Sequence, residues 1–256
     1  MKKEKELEQF YDNVAKGYED HNKRFCDEIL EHFIYSNLPK RKLKIIDIGG
    51  GIGRFAIPLA KQRHEVTLSD ISQCMLDKAE LITKKEKIKI NFVKESVTDL
   101  KNHKPNSFDV VLVINAILDY CGNYKKAIKE IKRILKPNGI VMGNVNNRFV
   151  YASKHELKNG NFTLFKKSMK KGDRHIGWGG GSHWSHEFTL EELKTAFKSF
   201  KNLQVYGIYN LLDKYDNPDW LQNKKKHKEM FNLQIEYAQK KEYLNNSTDF
   251  FFVCKK

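Results

Sequence analysis

A chain of 256 residues with 40% hydrophobic side chains is long enough to bury one domain-sized core and too apolar to be an unfolded segment. Its mean hydropathy of -0.65 reflects a heavily charged surface, and the longest apolar stretch, Val110 to Leu118, is interrupted by Asn115 and far too short for a bilayer, which excludes a membrane-spanning helix there. The net charge of +15 invites a polyanionic partner, but 40 of the 47 basic residues are Lys, whereas paired recognition of phosphates and guanines favours Arg; nucleic acid is therefore the lesser expectation.

The opening Met1-Lys2-Lys3-Glu4-Lys5-Glu6 mixes both charge signs and leads into no apolar run, so a cytoplasmic location is expected. Four cysteines, Cys26, Cys74, Cys121 and Cys254, stand far apart with no Cys-x-x-Cys spacing; they read as packing residues, and no metal is expected.

From Glu4 to about Asn37, apolar residues recur at helical spacing and predict two helices before Leu38-Pro39. The period then changes. Leu43 to Ile48, Glu65 to Leu68, Ile88 to Val93, Val110 to Ile114 and Gly139 to Val145 read as buried strands, alternating with helices near Arg54 to Arg63, Ser72 to Lys84 and Tyr124 to Leu135. Such alternation predicts an α/β fold with a parallel sheet covered on both faces.

Residues 146–187 show no clean period and read as an insertion or lid. Thr189 with Glu192 three residues on predicts a capping box opening a further helix. Leu203 to Tyr209 and Thr248 to Cys254 are the sixth and seventh strands, with one long charged helix from Trp220 to about Tyr243 between them. The expected organisation is a single domain: a helical cap over 1–42, a ligand-binding core over 43–145, the lid over 146–187 and the rest of the sheet over 188–256.

The most informative segment is Ile46-Asp47-Ile48-Gly49-Gly50-Gly51-Ile52-Gly53-Arg54. A buried strand ends at Asp47, and the glycines let the backbone bend tightly and approach a ligand before a helix begins. A plain turn would also account for the glycines alone. A dinucleotide fingerprint would need glycine at 54, where Arg54 stands. Asp70 ends the second strand about twenty residues on, where a carboxylate can accept from both ribose hydroxyls; the alternative is a helix cap.

These residues resemble the Asp/Glu-x-Gly-x-Gly-x-Gly loop and second-strand acid of class I S-adenosylmethionine-dependent methyltransferases. Four further segments are similar in the same order: Phe10-Tyr11-Asp12-Asn13-Val14-Ala15-Lys16-Gly17-Tyr18, Asp70-Ile71-Ser72 with Met75-Leu76 and Ala79, Ser107-Phe108-Asp109-Val110-Val111, and Leu135-Lys136-Pro137-Asn138-Gly139. The resemblance implies a Rossmann-like seven-stranded sheet of order 3-2-1-4-5-7-6 with strand seven antiparallel, and S-adenosylmethionine as cofactor, leaving S-adenosylhomocysteine. It implies donor contacts from Tyr11, Tyr18, Asp47, Gly49, Gly50, Gly51, Gly53, Asp70, Ile71, Met75 and Asn115. Where the family commonly has Gly-Asp-Ala after strand three, this chain has Glu95-Ser96-Val97, so Ser96 and the Val97 backbone are expected to meet the adenine.

An activated methyl group needs mainly an aligned acceptor and, for a hydroxyl, a base. Asn115-Ala116-Ile117-Leu118-Asp119-Tyr120 is not the Asn/Asp-Pro-Pro-Tyr motif of planar amino-group methylation; Asp119 and Tyr120 either face the acceptor or are a loop acid and a packing aromatic. Residues 174–187 hold three of the nine histidines and two of the three tryptophans, which suits a lid. His183 and His186 are the candidate bases, with ordinary capping or, together with Glu187, metal ligation as alternatives. Arg148, Arg174, His175, Trp178 and Trp184 are candidate acceptor contacts, and with Lys166, Lys167, Lys170 and Lys171 they leave room for an anionic acceptor beside the plainer reading of surface lysines. The expected function is methylation of a small molecule, on a hydroxyl of a sugar, phosphorylated or nucleotide-linked metabolite. RNA or protein methylation and ligand binding without turnover are the competing expectations.

Overall fold

The alternation of β-branched runs and amphipathic segments from residue 44 onward is resolved as a sheet with helices on both sides. The computed structural model describes residues 2–17, 24–178, 181–213, 216 and 218–256. Two helices, α1 (Lys2–Gly17) and α2 (Phe25–Asn37), precede β1 (Lys44–Ile48). There follow α3 (Ala56–Lys61), β2 (Glu65–Asp70), α4 (Gln73–Glu86), β3 (Asn91–Lys94), β4 (Phe108–Val113), α5 (Ile117–Tyr120), α6 (Tyr124–Ile134) and β5 (Leu135–Asn146). The sheet ends with β8 (Lys201–Ile208) and β9 (Asp249–Lys255).

Its order is β3-β2-β1-β4-β5-β9-β8, with β9 antiparallel to both β5 and β8 and the other pairings parallel. The labels differ from the expected 3-2-1-4-5-7-6 because a separate ribbon, β6 (Asp173–Trp178) and β7 (Gly181–His186), takes two places in the count.

Side chains alternate across each strand and fill two cores. Ile45, Val110, Leu112, Phe251 and Val253 pack on one face with α2 residues such as Leu30 and Phe33. Ile46, Val111, Val113, Phe250 and Phe252 pack on the other with Ile131 of α6 and Phe197. Truncating a ring as fully buried as Phe252 costs about 3–5 kcal/mol. Among the described residues no helix is long and apolar enough to cross a membrane.

Local capping places the helices. Ser72 accepts from Met75 N (3.2 Å) to start α4, and Asn123 accepts from Lys126 N (3.0 Å) to start α6. Thr189 caps α9 (Leu190–Ala196) by accepting from Glu192 N, as expected, but the reciprocal half of the box is missing because Glu192 directs its carboxylate to His186, Tyr124 and Arg148.

One expectation needs correction, and one segment without a sequence period acquires a structure. The long helix predicted over 220–243 is three pieces: a 3-10 turn at Asp219–Gln222, α10 (Lys224–Tyr237) and α11 (Lys241–Leu244). Asn223 starts α10 by accepting from Lys225 N and Lys226 N, and the Ala238 carbonyl leaves the helix ladder to accept from Gly207 N of β8. The segment 146–187, which has no sequence period, is ordered as α7 (Arg148–Ala152), a π-helical turn (Ser153–Leu157), α8 (Phe162–Lys171) and the β6–β7 ribbon. The buried positions along β7 are polar, His183 and Ser185, so the strand alternates without alternating in hydrophobicity.

Helix α1 lies across the carboxyl ends of the strands and is tied there by acids one turn apart. Glu4 accepts from Ser96 Oγ (2.9 Å) and Thr98 Oγ1 (2.5 Å), Glu8 pairs with Lys94 Nζ (2.6 Å), and Asp12 accepts from Ser72 Oγ (2.5 Å) and Cys74 N (3.4 Å). Its other neighbour is β7, where a side chain at Gly181 would strike the Phe10 ring. α1 and the ribbon thereby form a roof.

Candidate active site

Under that roof, at the carboxyl ends of the parallel strands where open α/β sheets bind ligands, lies a cavity of about 630 Å³. One end is built by the glycine bend. Gly49 N and Gly50 N donate to Ser69 O (2.7 and 3.1 Å), which joins the bend to β2. Gly49 has φ +69° and a side chain there would run into Ile117; Gly51 has φ +55° and open space where a side chain would stand, so its backbone faces the cavity bare. Gly53 turns the chain toward α3, also at positive φ, and lies behind the lining.

Two carboxylates flank the bend. Asp70 accepts from Gly51 N (2.8 Å) and Ser72 N (2.9 Å), which fixes its carboxylate between bend and helix; burial raises its pKa to about 6 against those backbone donors. The cap of α4 is Ser72. Asp47 is 1% exposed, and its Oδ2 has no hydrogen-bond partner among the described residues. Burial, reinforced by the Asp70 charge, raises its pKa to about 7. An unpartnered buried acceptor at the wall of a cavity requires a donor from whatever occupies it.

Ile71, Met75 and Val97 add an apolar side to this end, and Tyr11 of α1 reaches in from above. Ser96 lines the cavity too, but its Oγ donates to Glu4 and contacts Thr98 (3.1 Å), so the side chain is engaged by the roof. Asn115 and Ala116 both take the left-handed conformation at the tip of β4; Asn115 N donates to Asn144 Oδ1 (2.7 Å), and Asn144 Nδ2 donates to Asp249 Oδ2 (2.9 Å).

The other end is walled by Tyr120, Tyr151, His155, Arg174, His175 and Tyr209. Tyr120, Arg174 and His175 were expected there; Tyr151 and His155 were missed. Their spacing of four along α7 and the π turn, with rings stacked 5.7 Å apart, was the available signal. Arg24 and Arg54, both paired to the buried Asp27, also reach this cavity and were not singled out in the sequence.

The structure does not bring the candidate bases to this space. His183 is 1% exposed behind the lining, packed on Phe10 (4.6 Å between centroids) and Tyr120 (4.7 Å), with neither ring nitrogen bonded; burial lowers its pKa to about 4. His186 is held between Asp173 (2.7 Å) and Glu192 (2.9 Å), and with Asp119 and Trp184 it borders a separate, smaller depression. Asp119 accepts from Asn146 N (2.9 Å) and pins the end of β5. Arg148 is buried outside the cavity, donating to Glu187 O (2.9 Å) and paired with Glu192, so it holds the ribbon to α9. Trp184 lies under Lys3 Nζ (4.8 Å) at the rim. Tyr18 and the side chain of Trp178 lie outside the described residues. Among the described residues no three His, Cys, Asp or Glu side chains group in a way that could hold a metal, His183, His186 and Glu187 included.

Residues 45–139, the glycine bend through β5, match the family model described as a methyltransferase domain. The chain is 32% identical over 122 residues to a ubiquinone biosynthesis O-methyltransferase of Rickettsia akari, covering 48% of this chain and 46% of that one. It is 26% identical over 140 residues to a tRNA 5-carboxymethoxyuridine methyltransferase of Escherichia coli, covering 54% and 53%. The chain thus spans about half the length of the curated relatives it matches. A SAM-dependent methyltransferase of Methanosarcina mazei shares the fold, with a TM-score of 0.58 at 18% identity over 88% of this chain and 96% of that one. With the bend, the paired acids and the sheet order in place, these matches identify residues 45–139 as a methyltransferase domain on a sheet of Rossmann-like order.

Proposed function

We propose that the chain transfers a methyl group from S-adenosylmethionine to an oxygen of a small-molecule acceptor. One observation supports this above the others: a single roofed cavity joins the Asp47–Asp70 end to a second end lined by aromatic and basic side chains. When bound, the sulfonium donor supplies an already activated methyl group. The donor end fits such a molecule, since the free Oδ2 of Asp47 and the outward side of Asp70 are acceptors for its N–H and O–H groups, and Gly51 leaves the backbone bare beside them.

The acceptor end then orients the nucleophile and excludes water. His155 faces it with no hydrogen-bond partner among the described residues, and burial together with the Arg174 charge lowers its pKa, so the ring is neutral at pH 7 and able to take a hydroxyl proton. It replaces His183 and His186 as candidate base. The O-methyltransferase relative favours oxygen, and the roof of α1 and the β6–β7 ribbon favours a compact acceptor over a polymer.

The test is S-adenosylhomocysteine formation, followed by mass spectrometry, across phenols, sugar hydroxyls and carboxylic acids. Turnover with one class is the expected result; donor binding without turnover on any would leave a ligand-binding protein. The net charge of +15 and the tRNA methyltransferase relative favour a second reading, RNA methylation, which would show as tight RNA binding with a steep salt dependence.

A further inference from the structure

Four acids of the cavity wall, Glu4, Asp47, Asp70 and Glu95, stand at the end built by β1 to β3, and Arg24 and Arg54, which also line the cavity, are paired to Asp27; the end built by the ribbon and the π turn carries Arg174 and the imidazole of His155. Asp249, also on the wall, accepts from Asn144 Nδ2 (2.9 Å).

Arg174 is the centre of that basic end. It is 7% exposed, its Nε lies 3.2 Å from Glu156 Oε1, and its Nη1 donates to Glu187 Oε1 (3.2 Å) and Oε2 (3.5 Å). Nη2 has no partner among the described residues, although the side chain lines the cavity. A guanidinium buried this deeply is satisfied at every accessible N–H unless a ligand completes it. The wide π turn sets His155 and Glu156 side by side, the first toward the cavity and the second onto Arg174; such turns concentrate at functional sites.

We propose that the methyl acceptor carries a compact oxyanion, a carboxylate or a phosphate, and that Arg174 receives it with His155 beside it. The proposal rests on the methyl-transfer function only in assigning the oxyanion to the acceptor. Charge balance favours it. Burial raises the pKa of both carboxyls behind Arg174, that of Glu187 to about 8, which reduces the negative charge opposing the guanidinium. A planar guanidinium held from behind by two carboxyl groups presents its remaining edge in one direction, which suits an oxyanion better than a neutral group.

The test titrates inorganic phosphate and benzoate, at ionic strength matched with chloride, into the protein alone and into its S-adenosylhomocysteine complex. At least one oxyanion is expected to bind, and the two arms separate a phosphate from a carboxylate. Binding should weaken about tenfold in Arg174→Gln, the loss of a charge-assisted contact. Because that variant leaves Glu156 and Glu187 buried and can fail to fold, His155→Gln is measured beside it; that ring is exposed, and binding should weaken several-fold. Oxyanions that do not bind, or that bind His155→Gln as tightly as the natural protein, overturn the proposal. If S-adenosylhomocysteine still binds in that event, methyl transfer stands without it; if oxyanions bind through these residues and S-adenosylhomocysteine does not, the anion site stands and methyl transfer falls.

Discussion

The two ends of one cavity are made in different ways. The donor end comes from consecutive backbone: the bend at 49–53, the end of β2 and the start of α4, held by bonds such as Gly49 N to Ser69 O and Gly51 N to Asp70 Oδ2. The acceptor end comes from side chains on α5, α7, the π turn, β6 and the loop after β8, which are remote in sequence. Backbone conformation constrains residue type tightly, so the donor end leaves a short local trace in the sequence; an assembly of side chains on separate elements leaves none.

That contrast can be broken at either end. The largest effect is expected at the bend. Gly49→Val would place a branched side chain at positive φ against Ile117, and the strain plus overpacking should cost about 2–5 kcal/mol in denaturant unfolding, with donor binding lost. A cost under 1 kcal/mol would show that the bend tolerates a side chain and that its glycines are incidental.

Next comes Arg148→Met in α7. Removing the contacts to Glu187 O and Glu192 should cost about 1–3 kcal/mol while S-adenosylhomocysteine affinity stays within a factor of two, since Arg148 lies outside the cavity. Loss of donor affinity in a folded variant would mean that the two ends are not separable.

The third pair acts through pH, with opposite signs. The ordinary aspartate value is 3.8 and that of Asp47 in the fold is about 7, so its contribution to stability is complete below 3.8 and is lost as pH rises through 7. Histidine ordinarily titrates at 6.5 and His183 in the fold at about 4, so its contribution is complete above 6.5 and is lost as pH falls through 4. Asp47→Asn should therefore gain on the natural protein between pH 4 and 7, and His183→Phe should gain on it in the reverse direction, each by at most about 1.4 kcal/mol per pH unit. Parallel curves for natural and variant proteins over that range would remove the buried-group explanation.

Smallest is Trp184→Ala. The ring is exposed at the rim, over which Lys3 lies, and its loss should change stability by about 0.5 kcal/mol without touching donor affinity.

The sheet and the glycine bend beside Asp70 were legible because their signals are local. Asp47 through Gly53 and Asp70 stand within one strand-turn-helix-strand unit, and Phe250-Phe251-Phe252 announces a buried strand by composition alone. The lid was not legible, because His183 and Ser185 occupy the inward positions of β7 where apolar residues would have marked a strand. His183 and His186 drew attention as bases for the chemistry of their rings; the fold uses one as a wedge behind Tyr120 and the other as a bridge between Asp173 and Glu192. His155 escaped because one spacing of four from Tyr151 does not stand out in a segment that has no apolar period.

The most direct test of the donor site is a calorimetric titration of S-adenosylhomocysteine into the natural protein and Asp70→Asn. One-to-one binding, weakened at least several-fold by the substitution, is the predicted result. No binding to the natural protein, or equal binding to both, would contradict the assignment of the glycine bend and Asp70 to the methyl donor.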